Sequence, residues 1–257
     1  MPLAERRAGR LTRLLHRAAL LAAGIVATAA ALAATPLQPL IDATPSGGTL
    51  LLAAGTYTGP ATVDRPMVLD GGGKAHIDGQ HRESVLRVRT NSATIRGLIL
   101  TGSGDSHDRV DSAIVVEGHY NRIEDNRIED VLFGITLHAS NHNVVARNYI
   151  RSRPVDLADR GDGLRLWYST GNRIEGNDIA QIRDVTISNS PRNRYVGNRI
   201  RDSRRAMNFL FAGRSLVEDN DLQYNAPGLT IPTSDGIIIR RNRIAHAMDA
   251  SGAGIAL

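Results

Sequence analysis

The chain has 257 residues, a formal net charge of +5 and no cysteine. The cysteine count excludes disulfides, thiolate metal sites and a lipoprotein anchor. Hydrophobic residues reach 42% but aromatic ones only 4%, which suits a narrow core filled by Ile, Leu and Val.

Residues 1–33 read as a signal peptide. Arg6, Arg7, Arg10, Arg13 and Arg17 form a basic leading segment, an apolar Ala/Leu/Ile/Val stretch follows, and Ala31-Leu32-Ala33 offers a small-x-small cleavage site. The apolar stretch is short of the ~20 residues that a membrane span needs, so no transmembrane span is expected in the mature chain. The five arginines against Glu5 account for +4 of the +5. The remainder is close to neutral, and a nucleic-acid partner, which needs a basic face, is not expected.

Residues 34–62 read as an N-terminal cap. Leu37, Leu40 and Ile41 make a short amphipathic turn, and Thr49 to Leu52 a buried strand. A polar-faced cap is what the open end of a solenoid requires. Residues 63–78 add an early coil with Asp70-Gly71-Gly72-Gly73 as its turn, and residues 84–100 add another, with Gly97 standing 29 residues before Asn126.

From there the chain repeats. Asn126, Asn148, Asn177, Asn198, Asn220 and Asn242 are separated by 22, 29, 21, 22 and 22 residues, and a period in the twenties is a repeat signature. Between them lie apolar runs that alternate with a period of two, such as Leu164 and Leu166 against Arg165 and Trp167, which is strand rather than helix. A unit this short folds only by stacking on its neighbour, and parallel crossovers are almost always right-handed. The expected fold is therefore all-β, a right-handed parallel β-helix over residues 63–257. The asparagines are read as a structural ladder that also supplies left-handed corner residues. Ile255 falls where Leu229 and Met207 fall in earlier coils, so further coils are expected beyond residue 257.

Two coils carry insertions, residues 102–111 and 153–162, both before the same strand and two coils apart. Long loops on a rigid scaffold are where function concentrates. These read as acidic, with Asp105, Asp108 and Asp111 beside His107, then Asp156, Asp159 and Asp162. On the strand that follows, Ile135, Leu164, Val185, Met207 and Leu229 are expected inward. Trp167, Leu210 and Pro232 are expected outward as an apolar patch, beside Arg165. Such a patch marks a docking site or lies under a segment outside this sequence. His138 and His107 are the metal candidates on this side. Asp162 and Asp184, on adjacent coils, have the spacing of a glycosidase pair, or are turn residues with arginine partners. No nucleophile triad, P-loop or dinucleotide fingerprint is present, and no catalytic residue is assigned.

The blocks GSGDSHDRVDSAIVVEG, NRIEDNRIEDVLFGITLHAS, RGDGLRLWYSTGNRIEGNDI, RDVTISNSPRNRYVGNRIRDSR and SGAGIAL resemble the NosD family. The resemblance implies an exported periplasmic protein, not an enzyme, that serves maturation of the copper centre of nitrous oxide reductase. It implies an ABC transporter of the NosF and NosY type, a copper chaperone of the NosL type and the reductase itself as partners, with copper as the possible cofactor. The docking face expected on that reading holds Trp167, Arg165, Leu210, Asp105, Asp108, Asp156 and Asp159. One departure stands out: the segment aligned with residues 207–211 often carries His and Met at its second and fourth positions in the family, where this chain has Asn208 and Leu210. His138, read as two coils away on the same row, does not replace them alone. The alternative is a secreted carbohydrate-active enzyme on the same fold: a polysaccharide lyase, hydrolase or epimerase.

Overall fold

A computed structural model describes residues 34–248, 250 and 252–257. The expected signal peptide lies outside these residues. Every strand pair is parallel, and residues 19 to 29 positions apart pair with one another, so the chain winds as a parallel β-solenoid. One sheet has nine strands running from Ala61–Val63 to Ile255–Ala256. The other has 17 strands and comprises two faces of the coil. Two long strands, Val68–Asp78 and Thr94–Thr101, run through the corner between those faces and join them.

The bore is the core. Ile135, Leu137, Leu164, Leu166, Val185, Ile187, Met207, Phe209 and Leu229 are all at most 1% exposed, as their alternation requires. Each such side chain contributes roughly 1.5–3 kcal/mol of burial free energy. The only helix among the described residues, Leu37–Ala43, seals one end by burying Leu37 and Ile41 against this cluster. The next strand, Thr49–Leu51, is not wholly buried: Leu50 points in, whereas Leu51 is 40% exposed. An edge coil has solvent on its outer face, and the period-two rule places Leu51 there.

Asparagine ladders hold the corners. Asn126 donates its side-chain amide to Asn148, and the chain of bonds continues through Asn177, Asn198 and Asn220 to Asn242 at 2.8 to 3.0 Å. Each side-chain oxygen also accepts the backbone N–H of the asparagine one coil earlier. The left-handed residue, however, is the one before each asparagine: Asp125, Arg147, Gly176, Gly197, Asp219 and Arg241 carry φ of 53° to 64°. The asparagines themselves serve as acceptors and donors, not as left-handed corners.

A second ladder was not read from the sequence. Asn121, Asn143, Asn172 and Asn193 stack at the preceding corner, and their spacing of 22, 29 and 21 copies the first ladder five residues upstream. In the early coils the partner of Asn126 is Leu98, whose N–H donates to the Asn126 Oδ1. The first wide step is therefore 28 residues from Leu98 rather than 29 from Gly97. Asp70-Gly71-Gly72-Gly73 is a register shift inside a strand, with Gly72 and Gly73 at positive φ, rather than a free turn.

Candidate functional site

Strand register places the candidate residues. On the nine-stranded sheet Ile114, Ile135, Leu164 and Val185 align on successive strands. Both insertions therefore leave from one edge, and they meet. Arg153 of the second loop ion-pairs with Asp105 of the first and donates to the Ser103 carbonyl at 2.8 Å. His107 approaches the Asp159 carbonyl at 3.3 Å and stands edge-on to Phe133 at 5.6 Å. Asp105, His107 and Asp159 thus belong to one clasp.

The edge is less acidic than its composition. Asp111 is wholly buried and held by Arg109 at 3.0 Å, while its Oδ2 accepts the Ser106 N–H. Asp162 is 1% exposed, with Arg165 and Arg183 each at 3.5 Å. Burial pushes its carboxyl above the ordinary aspartate range, against the pull of Arg183. Asp184, one register position away, is 2% exposed and gripped by Arg204 and Arg205. Both aspartates carry arginine partners, but Asp184 opens the strand Asp184–Ser188 rather than sitting in a turn. Asp105, Asp108, Asp156 and Asp159 remain at the surface.

The first loop overhangs a cleft of about 280 Å³. Its floor is the outward row Arg87, Val115, Thr136 and Arg165, one residue from each of four consecutive strands. Its side is formed by Glu117, His138 and Trp167, and its roof by Asp108, Arg109 and Val110. The Arg165 guanidinium lies 5.1 Å from the Trp167 ring, and Tyr168 meets that ring edge-on at 5.5 Å. Trp167, Arg165, His138 and Asp108 are therefore brought together, with His107 behind the roof in the clasp.

Leu210 and Pro232 do not join them. The row runs His138, Trp167, Ser188, Leu210, Thr233, so Ser188 separates Trp167 from Leu210, and His138 is three strands from Leu210, not two. An irregularity between Asn208 and Leu210 substitutes Thr233 for Pro232 in the row. The apolar patch is thus interrupted.

The side chains present do not assemble a copper site. Among the described residues no group of three or more His, Cys, Asp or Glu is placed to hold a metal. Copper(I) favours thioether and imidazole, yet Met207 is sealed in the core. The nearest such pair along the chain, not singled out from the sequence, is His246, stacked on Tyr224 at 4.6 Å, and Met248, which is 67% exposed.

Comparison with known proteins adds what geometry does not carry. A family profile described as periplasmic copper-binding protein (NosD) matches residues 148–257. Two curated relatives, from Pseudomonas aeruginosa and Stutzerimonas stutzeri, are each named probable ABC transporter binding protein NosD. The first is 30% identical over 154 residues, 59% of this chain and 36% of the relative. The second is 29% identical over 136 residues, 52% and 31% respectively. Residues 148–257 are thus similar to the NosD family. The chain spans about a third of the length of these NosD relatives. The matched NosD segment includes the second loop, Trp167 and the later asparagines of the ladder. Among solved structures, the Dettilon tailspike protein (gp208) superposes with a TM-score of 0.50 at 15% identity, covering 81% of this chain and 50% of that one, a likeness of fold alone. Among the described residues no helix is long and apolar enough to cross a membrane.

Proposed function

We propose that this chain is the solenoid portion of a periplasmic accessory protein for maturation of the copper centre of nitrous oxide reductase. It acts as a docking scaffold rather than as an enzyme. The observation that carries this reading is the NosD match over residues 148–257, joined by relatives named for binding to an ABC transporter. On this reading residues 1–33 direct export and are removed, residues 34–62 cap the solenoid, and residues 63–257 present the working face. That face is the loop edge with Asp105, Asp108, Asp156 and Asp159, together with Trp167, Arg165 and Leu210. Its partners are transporter subunits of the NosF and NosY type, a chaperone of the NosL type and the reductase. ATP hydrolysis belongs to the transporter, and copper is cargo passed between partners. The contacts proposed for it on this face are His138 and His107; among the described residues no group of three or more such donors is placed around a metal.

The test is deletion of the full-length gene with complementation, reading copper content and activity of nitrous oxide reductase. Loss on deletion, with recovery by the wild type and not by a protein in which Asp105, Asp156 and Asp159 are replaced by Ala, supports the docking reading. A fully metallated, active reductase in the deletion strain sinks it.

A further inference from the structure

We propose that the cleft beneath the first loop binds the ring of a neutral saccharide. This goes beyond the maturation reading and concerns the chain on its own.

The cleft has the size and lining of a small-molecule site: concave, part apolar, with a few convergent polar groups. At about 280 Å³ it admits one or two sugar rings. Its floor spans three strand steps, about 14 Å at the usual strand spacing. Val115 and Thr136, each 5% exposed, form the middle of that floor. Trp167 supplies an indole wall against which the C–H face of a pyranose can pack, as aromatic rings serve large amphipathic ligands.

The polar groups are fixed in place. Arg87 is paired with Glu117 at 3.8 Å, Arg109 with Asp111 at 3.0 Å and Arg165 with Asp162 at 3.5 Å. Each guanidinium is thereby oriented while retaining spare N–H donors, because it has five. Glu117 and Asp108 supply acceptors, and His138 either role. Planar donors and acceptors set side by side around an apolar wall match vicinal hydroxyls on a ring with an apolar face.

Charge selects against the alternatives. The three arginines of the lining, and Arg89 and Arg183 beside them, each have a carboxylate partner in Glu117, Asp111 or Asp162. No guanidinium is left unpaired to hold a phosphate or a uronate, and guanidiniums among the carboxylates disfavour a metal ion.

Trp167 is the only tryptophan in the chain, so its fluorescence reports this cleft alone. The test titrates the purified protein with neutral linear oligosaccharides (cello-, malto- and laminari-tetraose). Galacturonate oligomers and inorganic phosphate are run in parallel. The expected result is a saturable change in Trp167 emission with at least one neutral oligosaccharide, unaltered when salt is raised from about 0.1 to 0.5 M, where screening weakens ionic binding. By calorimetry, Trp167→Ala should weaken binding about tenfold and Trp167→Phe should recover most of it, a tenfold change being about 1.4 kcal/mol. Glu117→Gln, whose near partner Arg89 is 55% exposed and whose own amide still accepts from Arg87 and Arg89, should weaken binding while leaving the circular dichroism and melting temperature nearly unchanged. Absence of a saturable response to every neutral sugar overturns the proposal. So does a response confined to uronates or phosphate that fades with salt, which would make the cleft an anion site.

Discussion

Asn148 and Asn177 stand 29 residues apart, yet the Asn148 side-chain amide donates to the Asn177 side-chain Oδ1 at 3.0 Å. Asn177 also accepts the Asn148 N–H at 3.0 Å, donates to the Val145 carbonyl at 3.0 Å and passes the ladder to Asn198 at 2.9 Å. It is 1% exposed. Replacing it with Ala orphans a buried donor and a buried acceptor, each costing about 1–3 kcal/mol. Asn177→Ala should therefore lose about 3 kcal/mol in urea unfolding. Asn242→Ala, at a part-buried rung where water can substitute, should lose clearly less. Equal losses at both rungs would show that burial is not what gives the ladder its strength.

The ladder was legible because an asparagine that must bond to its counterpart one coil later has to recur at the coil length, and the 29-residue steps announced the insertions. The same arithmetic was available for Asn121, Asn143, Asn172 and Asn193. The site was less legible. Periodicity places residues inward or outward but says nothing of local shifts, so Pro232 was put in a row that Thr233 occupies. Composition suggested an acidic edge, whereas Asp111 and Asp162 fold inward onto arginines, because a buried carboxylate needs a partner. That Asp108 and Val110 roof Trp167 depends on loop conformation, which no repeat encodes.

Arg153 is the clasp between the loops, joined to Asp105, the Ser103 carbonyl and the Gly104 carbonyl. The Arg153 side chain is only 13% exposed and also bonds two backbone carbonyls, so Arg153→Ala should lower stability by about 1–3 kcal/mol. It should also speed amide exchange across residues 103–111, the loop being a low-stability unit on a rigid scaffold. Unchanged exchange there would mean that the loop holds its shape without the second insertion.

Glu124 and Asp125 respond to acid with the opposite sign from Asp162. Arg122 holds the Glu124 carboxyl below its ordinary range, and Arg147 does the same for Asp125. A depressed carboxylate stabilises above its unfolded pKa, about 4, and loses that contribution as pH falls through the folded value. Arg147→Ala should therefore destabilise at pH 7 and make progressively less difference below about pH 4. Asp162 is raised by burial, so its ionisation opposes folding at neutral pH and that penalty disappears on acidification. Asp162→Asn should cost little or even stabilise at pH 7, and any gain should shrink as pH falls toward the ordinary aspartate range. Urea midpoints between pH 3 and 7 for both variants read the two signs directly, and parallel trends would contradict the assignment.

Gly134 and Gly163 stack on adjacent coils so closely that a Cβ on Gly134 would meet the Gly163 carbonyl oxygen at 2.1 Å. Backbone cannot yield as a flexible side chain can. Gly134→Ala should spread the coils beneath the second insertion, with a loss on the scale of an overpacked core, about 1–3 kcal/mol, and should disturb Trp167 emission. A variant as stable as the wild type would show that the coils can part there at no cost.

Copper affinity at the outward positions Asn208 and Leu210 should follow their side chains. Both project from one face of the strand Arg205–Leu210, two residues apart, and both are part-exposed. Neither an amide nor an isobutyl group is a ligand for copper(I), which favours imidazole and thioether. The pair of substitutions Asn208→His and Leu210→Met places one of each on the same face. Against a competing chelator, the double variant should bind copper(I) at least about tenfold more tightly than the wild type, a difference of about 1.4 kcal/mol. Each single variant should fall between, because one soft donor closes no chelate. If the wild type already matches the double variant, copper is held elsewhere, and His246 with Met248 becomes the pair to replace.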